Sequence, residues 1–337
     1  MRSLLCLALL APLATFADGP TTQAQWEEAS QFDCIGPFTH FAPPDVQEHE
    51  GFRYEYTGAT VKVRRLGARP GKQVRLGLLA GIKDLDPETI ATVGRFLADF
   101  EKADVDAVVI GGDTASDPQL LETIYAHLSS ATKRPLLVIA GNMERGASLN
   151  YALSKVRSET GAKHLVNLDL VRRADFDGAD LVSLGGYHDR AFLHLSGGCI
   201  YTDKHLDSLE AAAGAADDAV VLLTHGPMRQ KGQQALDYVP GADNVGDPRL
   251  TAVVERAKIA FGITGHILEA AAKGTDAAGK VLPPKKLHPS LFVNQGSANP
   301  LPWKLNDGTT AWGLAAILTV DGKKAWYEVL RGPKPAK

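Results

Sequence analysis

The segment that decides the fold reads DAVVIGGDTASDPQLLETIYAHLSSA and spans Asp106–Ala131. Its first half is a short, almost continuous apolar run, which is typical of a β-strand buried on both faces. Its second half spaces apolar residues as an amphipathic helix does. A strand that leads directly into a helix is the repeating unit of an α/β domain, so this segment predicts that class of fold.

The same order of strand and helix recurs on both sides of this segment. Further strand-like runs are VRLGLLAG, PLLVIAGN, ADLVSLGGYHD, DAVVLLTHG and IAFGITGH, and amphipathic stretches such as DPETIATVGRFLADFEKA lie between them. The last part of the chain is strand-like throughout, in SLFVNQGS, AWGLAAILTV and KAWYEVL. We therefore predict a buried, largely parallel sheet that the last strands make mixed.

The first 20 residues, MRSLLCLALLAPLATFADGP, are typical of an export signal. Arg2 precedes an apolar run, Leu4–Phe16, that is too short to span a bilayer comfortably. Small residues follow, so we expect cleavage after Ala17 and a periplasmic or secreted protein. A lipid-anchored form through Cys6 is a less favoured alternative, and a buried N-terminal strand or helix is another.

Four segments follow from these patterns. Residues 1–17 are the signal, and residues 18–72 are a lead-in with a β-hairpin predicted in FRYEYTGATVKVRRL. Residues 73–332 form the α/β domain, and residues 333–337 are a tail.

The composition permits a sizeable core and narrows the range of partners. Hydrophobic residues make up 45% of the 337 residues and charged residues 22%, which are ordinary globular values. The net charge of −3 argues against a nucleic-acid binder, because such proteins carry a basic excess. A small phosphorylated ligand in a local positive pocket is compatible with this charge. No transmembrane run follows the signal, and no feature of the sequence predicts an oligomeric state.

Two cysteines, Cys34 and Cys199, remain once the signal is removed. An oxidising compartment would let them form a disulfide. The alternative is a pair of buried free thiols, and both interpretations remain open because sequence does not give the distance between two residues.

Metal-compatible side chains follow four of the predicted strands. They are Asp113, Asn142, His225 and His266. Ligands in α/β folds bind beyond the carboxyl ends of the strands, and oxygen with imidazole nitrogen suits zinc, manganese or iron. Each residue alone has a structural alternative, as a turn or cap residue or as a core histidine bonded to the backbone. The four together predict a metal site.

Two other chemistries lack their motifs. No Gly-x-Gly-x-x-Gly follows a strand and GARPGK lacks P-loop spacing, which disfavours a nucleotide-dependent oxidoreductase. No Gly-x-Ser-x-Gly occurs, which disfavours a serine hydrolase.

The order of the four residues resembles that of the calcineurin-like metallophosphoesterases. That family carries five motifs: Asp-x-His, Gly-Asp, Gly-Asn-His-Asp/Glu, a histidine motif and Gly-His-x-His. Here GGDTASD matches the second motif at Asp113, GNMER the third at Asn142, THGP the fourth at His225 and GHILE the fifth at His266. VNQGS is similar to the Asn-x-Gly-Ser strand that follows in the family. The resemblance covers about Val74–Leu330 and implies a β-sandwich flanked by helices in four layers, αββα, with mixed sheets and a site between strand ends.

Three departures from the family motifs fall on one half of that site. Ala80–Ile82 stands at the first motif, Met143 at the third-motif histidine, and Leu268 at the second histidine of the fifth motif. In the family the first metal is held by both first-motif residues, the second-motif aspartate and that second histidine. Of these four ligands only Asp113 is present, and the resemblance implies an apolar wall of Ala80, Ile82 and Leu268 in their place.

The family ligands of the second metal are all present, as Asp113, Asn142, His225 and His266. The resemblance therefore implies one divalent or trivalent metal ion, zinc, manganese or iron, rather than two. Residues that could replace the missing ligands or their charge lie close by in the sequence, and the alternative is that they are surface residues. They are Lys83, Asp84, Asp86 and Glu269.

The departures imply weak or lost hydrolysis. Met143 can neither donate nor accept a proton, and general acid help is worth on the order of 10² to 10⁴ in rate. One hypothesis is a divergent exported phosphoesterase, and the other is a non-catalytic binding module on the same fold. Candidate catalytic residues are Glu144, His188 and Asp189, and Arg145 is a candidate to bind a phosphate oxygen.

Overall fold

The structure is a computed structural model that describes residues 22, 23, 25, 30, 32–36, 44–67 and 71–334. The predicted export signal, most of the lead-in before residue 44, and residues 335–337 of the tail lie outside the described residues.

The described residues form five α-helices and twenty β-strands. The helices are α1 (Pro87–Lys102), α2 (Pro118–Ala131), α3 (Gly146–Thr160), α4 (Asp203–Gly214) and α5 (Pro248–Arg256). The strands are β1 (Asp45–His49), β2 (Phe52–Thr57), β3 (Thr60–Arg65), β4 (Val74–Leu79), β5 (Ala107–Ile110), β6 (Leu136–Val138), β7 (Leu165–Asn167), β8 (Arg173–Phe176), β9 (Ala179–Leu184), β10 (Ala219–Thr224), β11 (Tyr238–Val239), β12 (Asp243–Asn244), β13 (Phe261–Thr264), β14 (Lys273–Thr275), β15 (Val281–Leu282), β16 (Leu291–Asn294), β17 (Pro302–Lys304), β18 (Thr310–Trp312), β19 (Leu314–Asp321) and β20 (Lys324–Arg331). Two short 3₁₀-helices cover Arg190–Phe192 and Leu268–Ala270.

Two large sheets carry the fold. The smaller has the order β20-β19-β4-β5-β6-β7, and the larger has the order β1-β2-β3-β8-β9-β10-β13-β16-β14-β15. In the smaller sheet β4 to β7 run parallel, whereas β19 and β20 are antiparallel. The predicted mixed α/β class is therefore confirmed, and the strands near the end of the chain make this sheet mixed, as expected.

The layers follow from the alternation of side chains along the strands. In β5, Val109 belongs to the core between the two sheets, while Val108 and Ile110 face the helices. Helices α1, α2 and α3 cover the outer face of the smaller sheet, and α4 and α5 cover the outer face of the larger one. The result is the order helix, sheet, sheet, helix, with most strands buried on both faces.

The lead-in contributes to the larger sheet. The predicted hairpin is formed by β2 and β3, which are antiparallel, and β3 continues the sheet by pairing parallel with β8. Among the described residues, no helix is long and apolar enough to cross a membrane.

A disulfide ties the lead-in to the α/β domain. Cys34 and Cys199 are joined, with their Cα atoms 5.3 Å apart. Gly146, the first residue of α3, lies against both sulfur atoms, because a Cβ placed there would be 2.9 Å from each of them. The disulfide therefore fixes the start of α3, which follows directly on the GNMER segment.

Removal of this disulfide is expected to destabilise the fold. Cys199→Ser should lower the free energy of unfolding by about 2–5 kcal/mol, because the unfolded chain loses a long cross-link. Urea unfolding at neutral pH measures the loss. Reductant should cause the same loss in the unaltered protein and none in Cys199→Ser. If reductant leaves the unaltered protein unchanged, the bond does not form in solution.

Candidate metal centre

The four predicted ligands follow strands of two different sheets. Asp113 and Asn142 follow β5 and β6 of the smaller sheet. His225 and His266 follow β10 and β13 of the larger sheet. The carboxyl ends of these strands meet where the sheets pack together, so each sheet contributes two of the side chains.

The four side chains converge on one point. Asn142 Oδ1 lies 2.9 Å from His225 Nε2 and 3.0 Å from His266 Nδ1. Asp113 Oδ1 lies 3.2 Å from His225 Nε2. The ligand atoms of Asp113, His225 and His266 all lie within 4.8 Å of one another.

Hydrogen bonds outside the cluster fix which atoms face inward. His225 Nδ1 lies 2.8 Å from the carbonyl oxygen of Gly111, and a proton on Nδ1 leaves the lone pair of Nε2 for the cluster. Asn142 Nδ2 donates to the carbonyl oxygen of Phe192 at 2.6 Å, so Oδ1 is the inward atom.

The inward atoms are of the kinds that bind a metal ion. The oxygens of Asp113 and Asn142 can only accept, so the cluster needs a positive charge at its centre, either a proton on an imidazole or a metal ion. Atoms about 2.1 Å from one metal ion lie about 3.0–3.4 Å from each other, close to the separations measured in this site. The donor set and its spacing therefore fit one zinc, manganese or iron ion.

The pKa values of the buried groups also indicate that the cluster needs a positive charge at its centre. Burial opposes the charge of Asp113, but His225, His266 and Lys83 outweigh it and hold the pKa of this carboxyl well below its usual range. Burial alone would lower the pKa of His225, yet the adjacent Asp113 raises it to about 9. Burial and the charge of His225 lower the pKa of His266 to about 3. The site thus holds an ionised aspartate and a neutral His266 around a positive charge.

Three residues around this point have left-handed backbone conformations. The φ angles are 55° for Asp113, 62° for His266 and 72° for Lys83. Non-glycine residues seldom adopt such angles, and they concentrate where a site fixes the direction of a side chain.

Glu144 anchors the loops that carry Asp113 and Asn142. Its buried carboxylate accepts backbone N–H groups from Asp113 at 3.2 Å, from Gly141 at 2.8 Å, and from Thr114. Burial and the neighbouring Asp113 raise the pKa of Glu144 to about 7. This candidate catalytic residue therefore occupies a position in which its oxygens bind the backbone beneath the site.

The VNQGS segment supports two further loops. Asn294 Nδ2 donates to the carbonyl oxygen of Ile267 at 2.8 Å and so fixes the turn that carries His266. Ser297 Oγ donates to the carbonyl oxygen of Gly81 at 2.7 Å.

The region around Ala80 and Leu268, where the resemblance places a first metal, contains apolar side chains and one amide. Ile82 is buried in the core beneath α1 rather than in a wall of the site, which corrects the expected apolar wall. Leu268 does line the site cavity. The buried amide of Gln295 lies near Ala80 and Gly111, and neither of its polar atoms has a hydrogen-bond partner among the described residues.

The other predicted residues lie in varied places. Asp189 caps the 3₁₀-helix Arg190–Phe192 through the N–H of Ala191 at 2.8 Å. His188 is half-buried and packs on Tyr187, with their ring centroids 4.5 Å apart. Arg145 is exposed at the start of α3.

Of the four residues predicted as possible replacement ligands or charges, two lie away from the site and two face it. Asp84 accepts from Asn299 Nδ2 at 2.7 Å and from Thr89 Oγ1 at 2.5 Å, and Asp86 is exposed at the start of α1. Lys83 and Glu269 line the cavity above the ligands.

This cavity has a volume of about 300 Å³ and is also lined by residues that sequence reasoning missed. Tyr187 lies over His266, with ring centroids 4.3 Å apart. His194 follows the 3₁₀-helix, and its N–H donates to the carbonyl oxygen of Asn142 at 3.2 Å. Trp303 comes from β17. None of these residues belongs to a motif, so their distances from the site become known only from the folded chain.

Together the fold and the convergent donor set define an α/β protein with a candidate metal centre between two packed sheets. The calcineurin-like phosphoesterase family matches residues 84–270, more than half of the chain, and the chain belongs to that family, whose members generally bind divalent metals.

Two solved structures are similar to this chain at low sequence identity. A purple acid phosphatase from yellow lupin seeds is 12% identical, with a TM-score of 0.51 over 83% of this chain and 56% of that chain. A dimetal phosphatase from Danio rerio is 14% identical, with a TM-score of 0.44 over 77% of this chain and 98% of that chain. No curated protein sequence matches the chain.

Loss of the Glu144 carboxylate is expected to weaken the loops under the site. In Glu144→Gln an amide N–H would face a backbone N–H donor, so the free energy of unfolding should fall by about 1–3 kcal/mol. Urea unfolding at pH 8 measures this effect. Glu122→Gln, which removes a partly exposed partner of Lys155 in α2, is the matched control and should change stability by less than about 1 kcal/mol. Equal stability of the two variants would contradict the anchoring role.

Proposed function

We propose that this protein is an exported phosphoester-binding member of the family that holds one metal ion at Asp113, Asn142, His225 and His266 and hydrolyses phosphate esters slowly. The observation that carries the proposal is the convergence of two oxygens and two imidazoles, two from each sheet, within hydrogen-bond distance.

The roles of the residues follow from their contacts. A bound metal ion supplies a positive charge that polarises a phosphoryl oxygen. Asp113 and Asn142 provide oxygen ligands, and Gly111 orients the ring of His225. Lys83 lines the cavity beside Asp113 and adds a second positive charge for the ester, in the region where the family has a first metal.

Slow turnover is expected from what the site lacks. Two metal ions clamp both the attacking and the leaving oxygen of an in-line displacement, and a single ion does not. Met143 lines the cavity where the family has a histidine, so the leaving group receives no proton from this position. We therefore expect turnover at least about 10² to 10⁴ below that of a complete site.

A non-catalytic binding module is the second candidate. Leu268 and Met143 favour it, because both put apolar side chains beside the ligands. The two functions share the metal and the ligand and differ only in turnover.

Export is supported by the disulfide between Cys34 and Cys199, because such bonds persist in oxidising compartments. The predicted signal, residues 1–17, is the second support. Expression with residues 1–17 and recovery outside the cytoplasm, with cleavage near Ala17, tests this part.

The metal count tests the site directly. Mass spectrometry of the purified mature chain should find about one metal ion per chain, and Asp113→Asn and His225→Ala should lose it, because each removes a charged or imidazole ligand. His188→Ala is the matched control and should keep the metal, since this half-buried histidine packs beside Tyr187 rather than on the ligands.

The outcomes separate the candidate functions. Two metal ions per chain would mean that other groups complete a second site, and none after incubation with zinc, manganese and iron would refute the metal centre. With one metal bound, turnover of an aryl phosphate that disappears in His225→Ala supports the slow hydrolase. Binding without such turnover supports the binding module.

Lys83 should contribute to binding of the anion. Lys83→Gln is expected to weaken inorganic phosphate about tenfold or more, because it removes one charged hydrogen-bond donor, whereas Lys83→Arg should retain most of the affinity. Calorimetry on the metal-loaded protein measures this. Lys304→Gln, in the exposed strand β17, is the control of equal charge change. An equal loss in Lys304→Gln would show that only net charge matters.

A further inference from the structure

The cavity above the candidate ligands is large enough to select a ligand. Its volume of about 300 Å³ lies at the lower end of the range for small-molecule sites. Asp113 and His266 form part of its lining, so anything bound there reaches the metal centre directly.

Most of the cavity wall is apolar. The main apolar lining residues are Met143, Tyr187, Phe192, Ile267, Leu268 and Trp303. A sugar or another hydroxyl-rich group would lose hydrogen bonds to water against such walls, whereas an aromatic or alkyl group would gain by leaving water.

The positive charge lies at the metal end. Lys83 lines the cavity together with Asp113, and His194 lies next to Asn142, since its N–H donates to the carbonyl oxygen of Asn142 at 3.2 Å. An anionic group therefore has its partners near Asp113 and His266, and the apolar walls remain for the other end of the ligand.

Trp303 lines the cavity from β17. It also lines a second cavity of about 600 Å³, as does Glu269, so the two cavities share a boundary at these residues. The 3₁₀-helix that begins at Leu268 packs against β11 and β17, which places Leu268 and Trp303 on adjoining segments. A group longer than one ring can extend past Trp303 into the second cavity.

We propose that the site takes a phosphate monoester whose alcohol part is an aromatic or alkyl group. The phosphate lies at Lys83 and the metal ligands, and the apolar part lies against Leu268 and Trp303. This inference rests on the proposed function, because it assumes that the phosphate binds at the metal centre.

Two phosphonates test the preference for an apolar group. Neither has a leaving group, so the measurement reports binding alone. Methylphosphonate carries the anion with a single methyl group, and benzylphosphonate adds a phenyl ring to that methyl carbon. Calorimetry on the metal-loaded protein should give a Kd for benzylphosphonate at least about tenfold lower, because the ring buries apolar area. Trp303→Ala should reduce this ratio severalfold and leave the Kd of methylphosphonate unchanged. Leu301→Ala removes a more exposed apolar side chain two residues away, outside both cavity linings, and should keep the ratio.

Each contrary result has a separate meaning. Equal Kd values for the two phosphonates in the unaltered protein would overturn the apolar preference and leave the proposed function standing. An unchanged ratio in Trp303→Ala would overturn the assignment to this cavity. Failure of both phosphonates to bind, or binding that is the same in His225→Ala, would overturn the proposed function itself.

Discussion

The site depends on the contact between two sheets at the imidazole of His225. This residue ends a strand of the larger sheet, yet its Nδ1 meets the carbonyl oxygen of Gly111 and its Nε2 meets Asp113 and Asn142, all from the smaller sheet. The ring is fully buried, so each of these contacts forms away from water and is correspondingly costly to break. A shift of one sheet against the other would separate the two ligand pairs, and the sandwich therefore has to hold its packing to keep the site.

The close approach of the two sheets sets requirements on the backbone. Gly112 has a φ of 88°, and a Cβ there would come within 2.8 Å of His225 Nδ1. The carboxylate of Glu144 binds three N–H groups of the same loops. The side-chain oxygens of Asp113 and Asn142 are thereby held close together although they repel each other. A positive charge between the two oxygens compensates for that repulsion.

The sequence predicts much of the fold because the strands at its centre are buried on both faces. A continuous apolar run such as that of β5, followed by an amphipathic stretch, is typical of a buried strand and a helix in an α/β fold. The helix α2 begins at Pro118, as the pattern indicates. The four candidate ligands are predictable for a related reason, since each directly follows such a run. The strands β7 and β8 were not predicted, because polar and charged residues interrupt the apolar residues of this segment.

Three-dimensional proximity is what the sequence does not provide. The candidate ligands come from two different sheets, and reasoning from the ends of strands alone does not show which strands share a sheet. Tyr187, His194 and Trp303 belong to no motif, and they approach the site from segments distant in the chain. The pairing of Cys34 with Cys199 stayed open for the same reason, because 165 residues separate them in the sequence.

Met143 and Leu268 also determine the apolar character of the cavity. Met143 and Leu268 stand where the family motifs have histidines, and both side chains line the apolar wall above the remaining ligands. An imidazole at either position would bring a polar, metal-binding group into that wall. In the proposed function, the same two side chains replace a metal ligand and a proton donor and provide an apolar contact surface. The slow in-line displacement and the preference for an apolar ester that we propose would then follow from one set of residues.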